Sequence, residues 1–233
     1  MKKPLIGINP YHIERKGSFW NATKEDYYST VWNSGGCPVT LNYPKKKEHI
    51  PNIVEHLHGL LMVGGPDLPA GVYGSTNPEL IDKDQMSKER EFFDREIFLE
   101  TLKQDKKVLA VCAGLQLVNT VFGGTLTEDI PTLIPGAADH GTFNGEHSVH
   151  EVKIEKESKL FNVLGANSAS VASTHHQCVN RLGENIIPVA CSLDGVVEAI
   201  EIKNQKNFIG VQWHPELIKQ SEETKKLFSW LLS

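Results

Sequence analysis

A three-layer α/β/α sandwich around a mostly parallel sheet is the fold class that the sequence predicts. Three observations carry it. Val108-Leu109-Ala110-Val111 and Phe208-Ile209-Gly210-Val211 are short, continuous apolar runs, the pattern of strands buried on both faces of a parallel sheet. Such runs alternate along the chain with amphipathic segments of helical period, as repeated βα units require. Two of the runs lead into residues able to do chemistry, Cys112 and His214, and open parallel sheets carry their reactive groups at the carboxyl ends of strands.

The chain has 233 residues, enough for one sizeable core, and no linker divides it, so residues 1–233 are read as a single domain. Net charge is −5 and no basic cluster exceeds Lys45-Lys46-Lys47, which offers no footprint for nucleic acid. No run reaches the length of a membrane span. Behind Met1-Lys2-Lys3 the apolar stretch is only Leu5 to Ile8, too short for a signal-peptide core. Cys37, Cys112, Cys178 and Cys191 follow neither a disulfide framework nor a metal-ligand spacing, and a reducing cytoplasm is expected.

In order, Leu5 to Ile8 predicts the first strand and Tyr11 to Phe19 a polar loop. A helix follows, capped by Thr23 with Asp26 three residues on, placing Tyr27, Val31 and Trp32 on one side and ending at Gly35-Gly36. Trp20, Tyr27, Tyr28 and Trp32 at helical spacing are read as core in preference to pocket lining. Pro38 to Leu41 is a second strand, Ile50 to His58 a modest helix, and Gly59 to Val63 a third strand running into Gly64-Gly65-Pro66. Asp67 to Lys88, with several Pro and Gly, predicts a surface excursion bordering the site. Glu89 to Lys103 is an amphipathic helix with Phe92, Phe93, Ile97, Phe98 and Leu102 inward.

After the Cys112 strand, Leu115, Leu117, Val118, Val121 and Phe122 form a helix that Gly123-Gly124 closes. Thr125 to Ser148 reads as irregular, with Pro131, Pro135, Gly136, Gly141 and Gly145. His140, His147 and His150 match no compact zinc spacing and have no nearby cysteine, so no metal is expected and they are placed on the rim. Val149 to Ile154 alternates as an edge or antiparallel strand does, and Lys159 to Leu164 is a short helix. Ile187 to Ser192, Val196 to Ile202 and Phe208 to Gln212 form a meander turned at Asp194-Gly195 and Asn204 to Asn207. Glu222 to Leu232 ends the chain as an amphipathic helix.

Cys112 sits between a buried strand and a helix, with small Ala113 and Gly114 permitting a tight turn. The positive end of a helix dipole favours thiolate, the reactive form of the group. His214 also ends a strand; Pro215 biases it toward extended geometry and Glu216 follows two residues on. Nucleophile, base and orienting carboxylate make a complete relay.

Val111-Cys112-Ala113-Gly114-Leu115-Gln116 and Gly210-Val211-Gln212-Trp213-His214-Pro215-Glu216 together resemble the two motifs of the class I glutamine amidotransferase-like hydrolases. Within them the chain is most similar to the γ-glutamyl-γ-aminobutyrate hydrolase (peptidase C26) branch. Met62-Val63-Gly64-Gly65-Pro66-Asp67, Phe122-Gly123-Gly124-Thr125-Leu126 and Ser173-Thr174-His175-His176-Gln177 extend that resemblance. It implies a flavodoxin-like fold, catalytic Cys112, His214 and Glu216, an oxyanion hole at Gly65 and Ala113, and substrate contacts at Gly64, Gln116, Ser173, His176 and Gln177. It implies a homodimer and no cofactor. The chain departs from the branch at Ala113, where arginine is usual, at Ala172, where asparagine is usual, and in the position of Pro69.

The reading that follows is a free-standing hydrolase of γ-glutamyl amides acting through a γ-glutamyl thioester. A glutaminase subunit delivering ammonia to a separate synthase is the second reading, and a non-catalytic binding module the third.

Overall fold

The computed structural model describes residues 2–141 and 147–233; Met1 and Gly145 lie outside them. Along the chain run β1 (Leu5–Ile8), β2 (Tyr11–Arg15), β3 (Ser18–Ala22), α1 (Glu25–Asn33), β4 (Cys37–Thr40), α2 (Ile50–Glu55), β5 (Gly59–Met62), α3 (Ala70–Tyr73), α4 (Lys88–Lys103), β6 (Lys107–Val111), α5 (Ala113–Val121), β7 (Leu126–Thr127), α6 (Ile130–Leu133), β8 (Ser148–Ile154), α7 (Lys159–Leu164), β9 (Ser168–Ser173), β10 (Cys178–Val179), β11 (Ile186–Ser192), β12 (Val197–Ile202), β13 (Phe208–Val211) and α8 (Glu222–Leu232).

Nine strands form one sheet in the order β4-β1-β5-β6-β13-β12-β11-β8-β9. Pairings from β4 to β13 are parallel, and those from β13 to β9 are antiparallel. Only β12 and β8 therefore run against the other strands, and the mostly parallel sheet expected from the sequence is present. Alternate residues of each buried strand feed opposite cores. Leu60, Met62, Val108, Ala110 and Phe208 pack with Phe93, Ile97 and Phe98 of α4 and Leu115 of α5. Leu61, Leu109, Val111 and Ile209 pack on the other side with Tyr27 and Val31 of α1 and Leu227, Phe228 and Leu231 of α8. Two helical layers thus clamp the sheet, and the ends of β5, β6 and β13 are held side by side.

Four local expectations are corrected. Tyr11 to Phe19, expected as a loop, lies in a hairpin that runs to Ala22, β2 paired with β3 and turned at Lys16 (φ 52°) and Gly17 (φ 75°). Two adjacent positive-φ residues suit the right-handed twist of a two-residue hairpin. Thr23 does not cap α1; Lys24 holds the N-cap position, and the Thr23 hydroxyl accepts from Thr40 Oγ1 at 3.3 Å. Trp32 is exposed under the Lys3 ammonium, so the buried stripe of α1 is Tyr27, Thr30 and Val31. Phe92 also faces out, because Arg90 and Asp94 occupy the inward face of α4 beside Phe93, Ile97 and Phe98.

Candidate active site

Cys112 ends β6 and opens α5. Its N–H donates to the Val211 carbonyl at 2.8 Å, and its own carbonyl accepts the first turn of the helix from Gln116 N–H at 3.0 Å. Held from both sides, the residue adopts φ 51° and ψ −112°. A positive φ on a side-chain-bearing residue costs about 1–3 kcal/mol, and such strain collects at functional sites. Gly114 lets the turn close: a Cβ there would stand 2.9 Å from the Met62 carbonyl oxygen and 3.0 Å from Met62 Cβ. Only a glycine brings α5 down onto β5.

His214 lies just beyond β13, and the backbone around it is tied to two other strands. Gln212 N–H donates to Glu198 O at 2.7 Å, and His214 N–H donates to Ala172 O at 2.8 Å. After Pro215 the chain turns in a 3₁₀ helix, which returns the Glu216 carboxylate to the ring, Oε1 lying 2.6 Å from His214 Nδ1. The second nitrogen, Nε2, is buried with no aligned hydrogen-bond partner among the described residues, and the Cys112 thiol is its neighbour. Burial opposes charge on this ring, but the Glu216 and Cys112 side chains beside it outweigh burial and push the His214 pKa up to about 10. Gly64 lies beneath both groups; a Cβ on it would stand 2.9 Å from His214 Cε1 and 3.3 Å from Cys112 Cβ.

Cys112 and His214 open into a cavity of about 680 Å³ that Gly65, Gln116, His176 and Gln177 also line. Gly64, Ala113 and Ser173 are not in its wall. The Gly64 N–H donates to the Tyr27 hydroxyl at 3.0 Å, under the cavity floor. Ala113 is the first residue of α5, where the helix provides no carbonyl for its N–H. Ser173, fully buried in β9, pairs its hydroxyl with His150 Nε2 at 2.8 Å. Gln116 Nε2 donates to the Gln177 carbonyl and to Gln212 Oε1, tying the helix to two neighbouring segments. His176 bridges Asp67 at 3.0 Å and Asp129 at 3.1 Å; burial disfavours its charge, but these carboxylates prevail and raise its pKa to about 9. Both side-chain polar atoms of Gln177 are buried without an aligned partner among the described residues.

Sequence reading missed two walls of this cavity. The β2–β3 hairpin contributes Tyr11, His12, Ile13 and Glu14. Arg90, 2 % exposed, donates Nη2 to the Gly64 and Val63 carbonyls at 2.8 and 3.2 Å and Nε to Asp94 at 3.1 Å. Its Nη1 has no aligned partner among the described residues and lies beside Gly65, where a Cβ would meet it at 2.2 Å. A charged pair at i and i+4 on the apolar face of α4, Arg90 and Asp94, was the available signal.

Known proteins match along most of the chain. A family model described as Peptidase C26 matches residues 4–216. A glutamine amidotransferase-like protein of Lactococcus lactis, YvdE, named provisionally, is 32% identical over 234 residues, 96% of either chain. The γ-glutamyl-γ-aminobutyrate hydrolase PuuD of Escherichia coli K12 is 26% identical over 224 residues, 93% of this chain and 87% of its own. Among solved structures, a glutamine amidotransferase from Thermotoga maritima superposes with a TM-score of 0.62 at 14% identity, covering 99% of this chain and 97% of that one.

Proposed function

The chain belongs to the peptidase C26 family, and from that premise we propose that it hydrolyses γ-glutamyl amides with Cys112 as nucleophile, His214 as base and acid, and Glu216 as the carboxylate that orients the base. The observation that carries this reading is the convergence of a strained cysteine at a helix start with an imidazole whose far nitrogen is held 2.6 Å from a buried carboxylate.

His214 takes the Cys112 proton, Glu216 stabilising the imidazolium, and the thiolate attacks the γ-carbonyl carbon. The carbonyl oxygen becomes an oxyanion facing the N–H groups of Gly65 and Ala113. As the C–N bond breaks, His214 returns its proton to the leaving amine, leaving a γ-glutamyl thioester on Cys112. Water, deprotonated by the now neutral His214, attacks the thioester; glutamate departs and the thiol is restored. Neither metal nor redox group enters this sequence.

The far end of the substrate carries an amino acid's charges, and the buried Arg90 guanidinium beside Gly65 adds positive potential on the side of the cavity where the α-carboxylate would lie. Gln177 lines the same cavity, and its amide carries both a donor and an acceptor. Amine specificity falls to the β2–β3 hairpin and to Asp84 through Ser87, which line the outer cavity. These walls come from the same chain as the thiol, which favours a hydrolase acting alone over a glutaminase subunit dependent on a synthase.

The test is release of glutamate by the purified chain from a panel of γ-glutamyl amines and glutamine, with Cys112→Ser as the blank. Rapid cleavage of one γ-glutamyl amine supports the hydrolase. Cleavage of glutamine alone, and only slowly, supports the glutaminase subunit.

A further inference from the structure

Four side chains from four separate segments meet behind the His175 to Gln177 wall. His140 follows α6, His150 lies in β8, His175 follows β9 and Glu198 lies in β12. Three imidazole nitrogens approach the same carboxylate oxygen, Glu198 Oε1: His140 Nδ1 at 3.1 Å, His150 Nε2 at 3.5 Å and His175 Nε2 at 3.6 Å. One donor atom from each residue falls within 4.8 Å of every other. Tetrahedral zinc, with bonds of about 2.0–2.1 Å, sets neighbouring donors about 3.3 Å apart. The three separations to Glu198 Oε1 straddle that edge length.

The outer ring nitrogens are already engaged. His140 Nε2 lies 2.9 Å from Asp194 Oδ2, an oxygen that also accepts from Ala138 N–H at 2.8 Å. His175 Nδ1 lies 3.0 Å from the Gln177 carbonyl, and His150 Nδ1 lies 3.4 Å from the Glu151 carbonyl. An imidazole that gives its outer N–H to an oxygen turns its lone pair inward, the arrangement seen behind metal-bound histidines. Inward-facing lone pairs around a carboxylate repel unless a cation or protons lie between them. His140 Nδ1, His175 Nε2 and both Glu198 oxygens are buried with no aligned hydrogen-bond partner among the described residues, although close in distance. Short separations without hydrogen-bond alignment suit atoms grouped around a common centre. His150 Nε2 has one competing partner, the Ser173 hydroxyl at 2.8 Å, which can donate to that lone pair when no cation is bound.

We propose that His140, His150, His175 and Glu198 form a Zn²⁺ site. Three imidazoles and a carboxylate are a donor set of matching softness for that ion. The ion has no part in the hydrolysis. It ties the segment carrying His176 and Gln177 to β8 and β12, so that a cavity wall made of loop is fixed to the sheet. His147, exposed and outside the cluster, is no ligand. Chain spacing hid the site, because His175 and Glu198 are supplied by segments that come together only across the antiparallel half of the sheet.

The test uses the full chain carrying Cys112→Ala, which prevents zinc from sitting on the thiol, stripped with a chelator and titrated with Zn²⁺ against a chromophoric competitor. One Zn²⁺ per chain is expected, with Kd below about 1 μM, and the melting temperature rises on zinc addition. His150→Gln, at the outer side of the cluster, should weaken binding on the order of 100-fold, and His147→Gln should leave it unchanged. Glu198→Gln is a second variant with the same expected loss; should it fail to fold, His150→Gln decides alone. Absence of stoichiometric binding, or equal affinity in His150→Gln and the parent, overturns the site.

Discussion

Gly64 lies so close beneath His214 that a single methyl group added to it would stand 2.9 Å from the ring carbon Cε1. The glycine is there to let strand β5 approach the imidazole while Cys112 approaches from the other side. Gly64→Ala must therefore move the ring or the thiol. Displacement on this scale costs on the order of 100-fold in rate, so kcat should fall by about that factor with a loss of only a few degrees in melting temperature. Kinetics and a thermal melt on the same preparation check both.

Glu216→Gln preserves the shape of the Nδ1 contact and removes its charge. Burial lowers the His214 pKa, and Glu216 is the largest opposing influence, so the variant's His214 should titrate well below the wild-type value of about 10. Activity should fall by about 10²–10⁴. NMR titration of the His214 ring in the two proteins reads the shift directly. An unchanged titration would remove Glu216 from the role assigned to it.

His176 predicts a pH dependence of stability. Its pKa is raised in the folded protein to about 9, burial being outweighed by Asp67 and then Asp129. A group raised on folding stabilises fully below its unfolded value, about 6.5, and loses that contribution as pH climbs through the folded value. The melting-temperature gap between wild type and His176→Gln should be widest at about pH 5–6.5 and should close between 6.5 and 9. With partial exposure allowed for, about 1–2 kcal/mol is at stake, a few degrees for a chain of this size.

Arg90 and Asp94 form a buried pair in which burial raises the Asp94 pKa to about 6 despite the guanidinium. Arg90→Gln alone leaves a buried carboxylate uncompensated and should cost about 3–5 kcal/mol. Adding Asp94→Asn should recover much of that stability. KM for γ-glutamyl amides should remain raised about tenfold or more in the double variant, because the charge facing Gly65 stays absent. Recovery of KM along with stability would show that Arg90 holds only the fold.

Much of the fold was legible because its signals are local. Val108 to Val111 and Phe208 to Val211 announce buried strands by apolar continuity, and Glu222 to Leu232 announces a helix whose bounds the structure reproduces. Residues at strand ends were equally legible, since Cys112 and His214 each interrupt such a run with a reactive group. What escaped depends on partners distant in sequence. The Tyr11 to Ala22 hairpin lacks the apolar alternation of a packed strand, because its residues are half-buried or exposed and face the cavity and solvent. Arg90 looked like one charge among many on a charged helix; its burial comes from Asp94 on its own helix and from the Val63 and Gly64 carbonyls. Chain spacing relates His140 and His150 to His147, while the side chains they meet are His175 and Glu198. Ser173, within the motif that resembles the family's, belongs to that histidine cluster and not to the cavity wall.

Cys112, alone among the four cysteines, should be acylated by a γ-glutamyl group. Incubation with a diazoketone analogue of glutamine, followed by proteolysis and mass spectrometry, locates the reactive thiol. One label per chain on Cys112 is predicted, slowed by an excess of the cleaved γ-glutamyl amide and abolished by Cys112→Ser. Labelling spread over Cys37, Cys178 and Cys191, or labelling of Cys112 that substrate does not slow, would contradict the account.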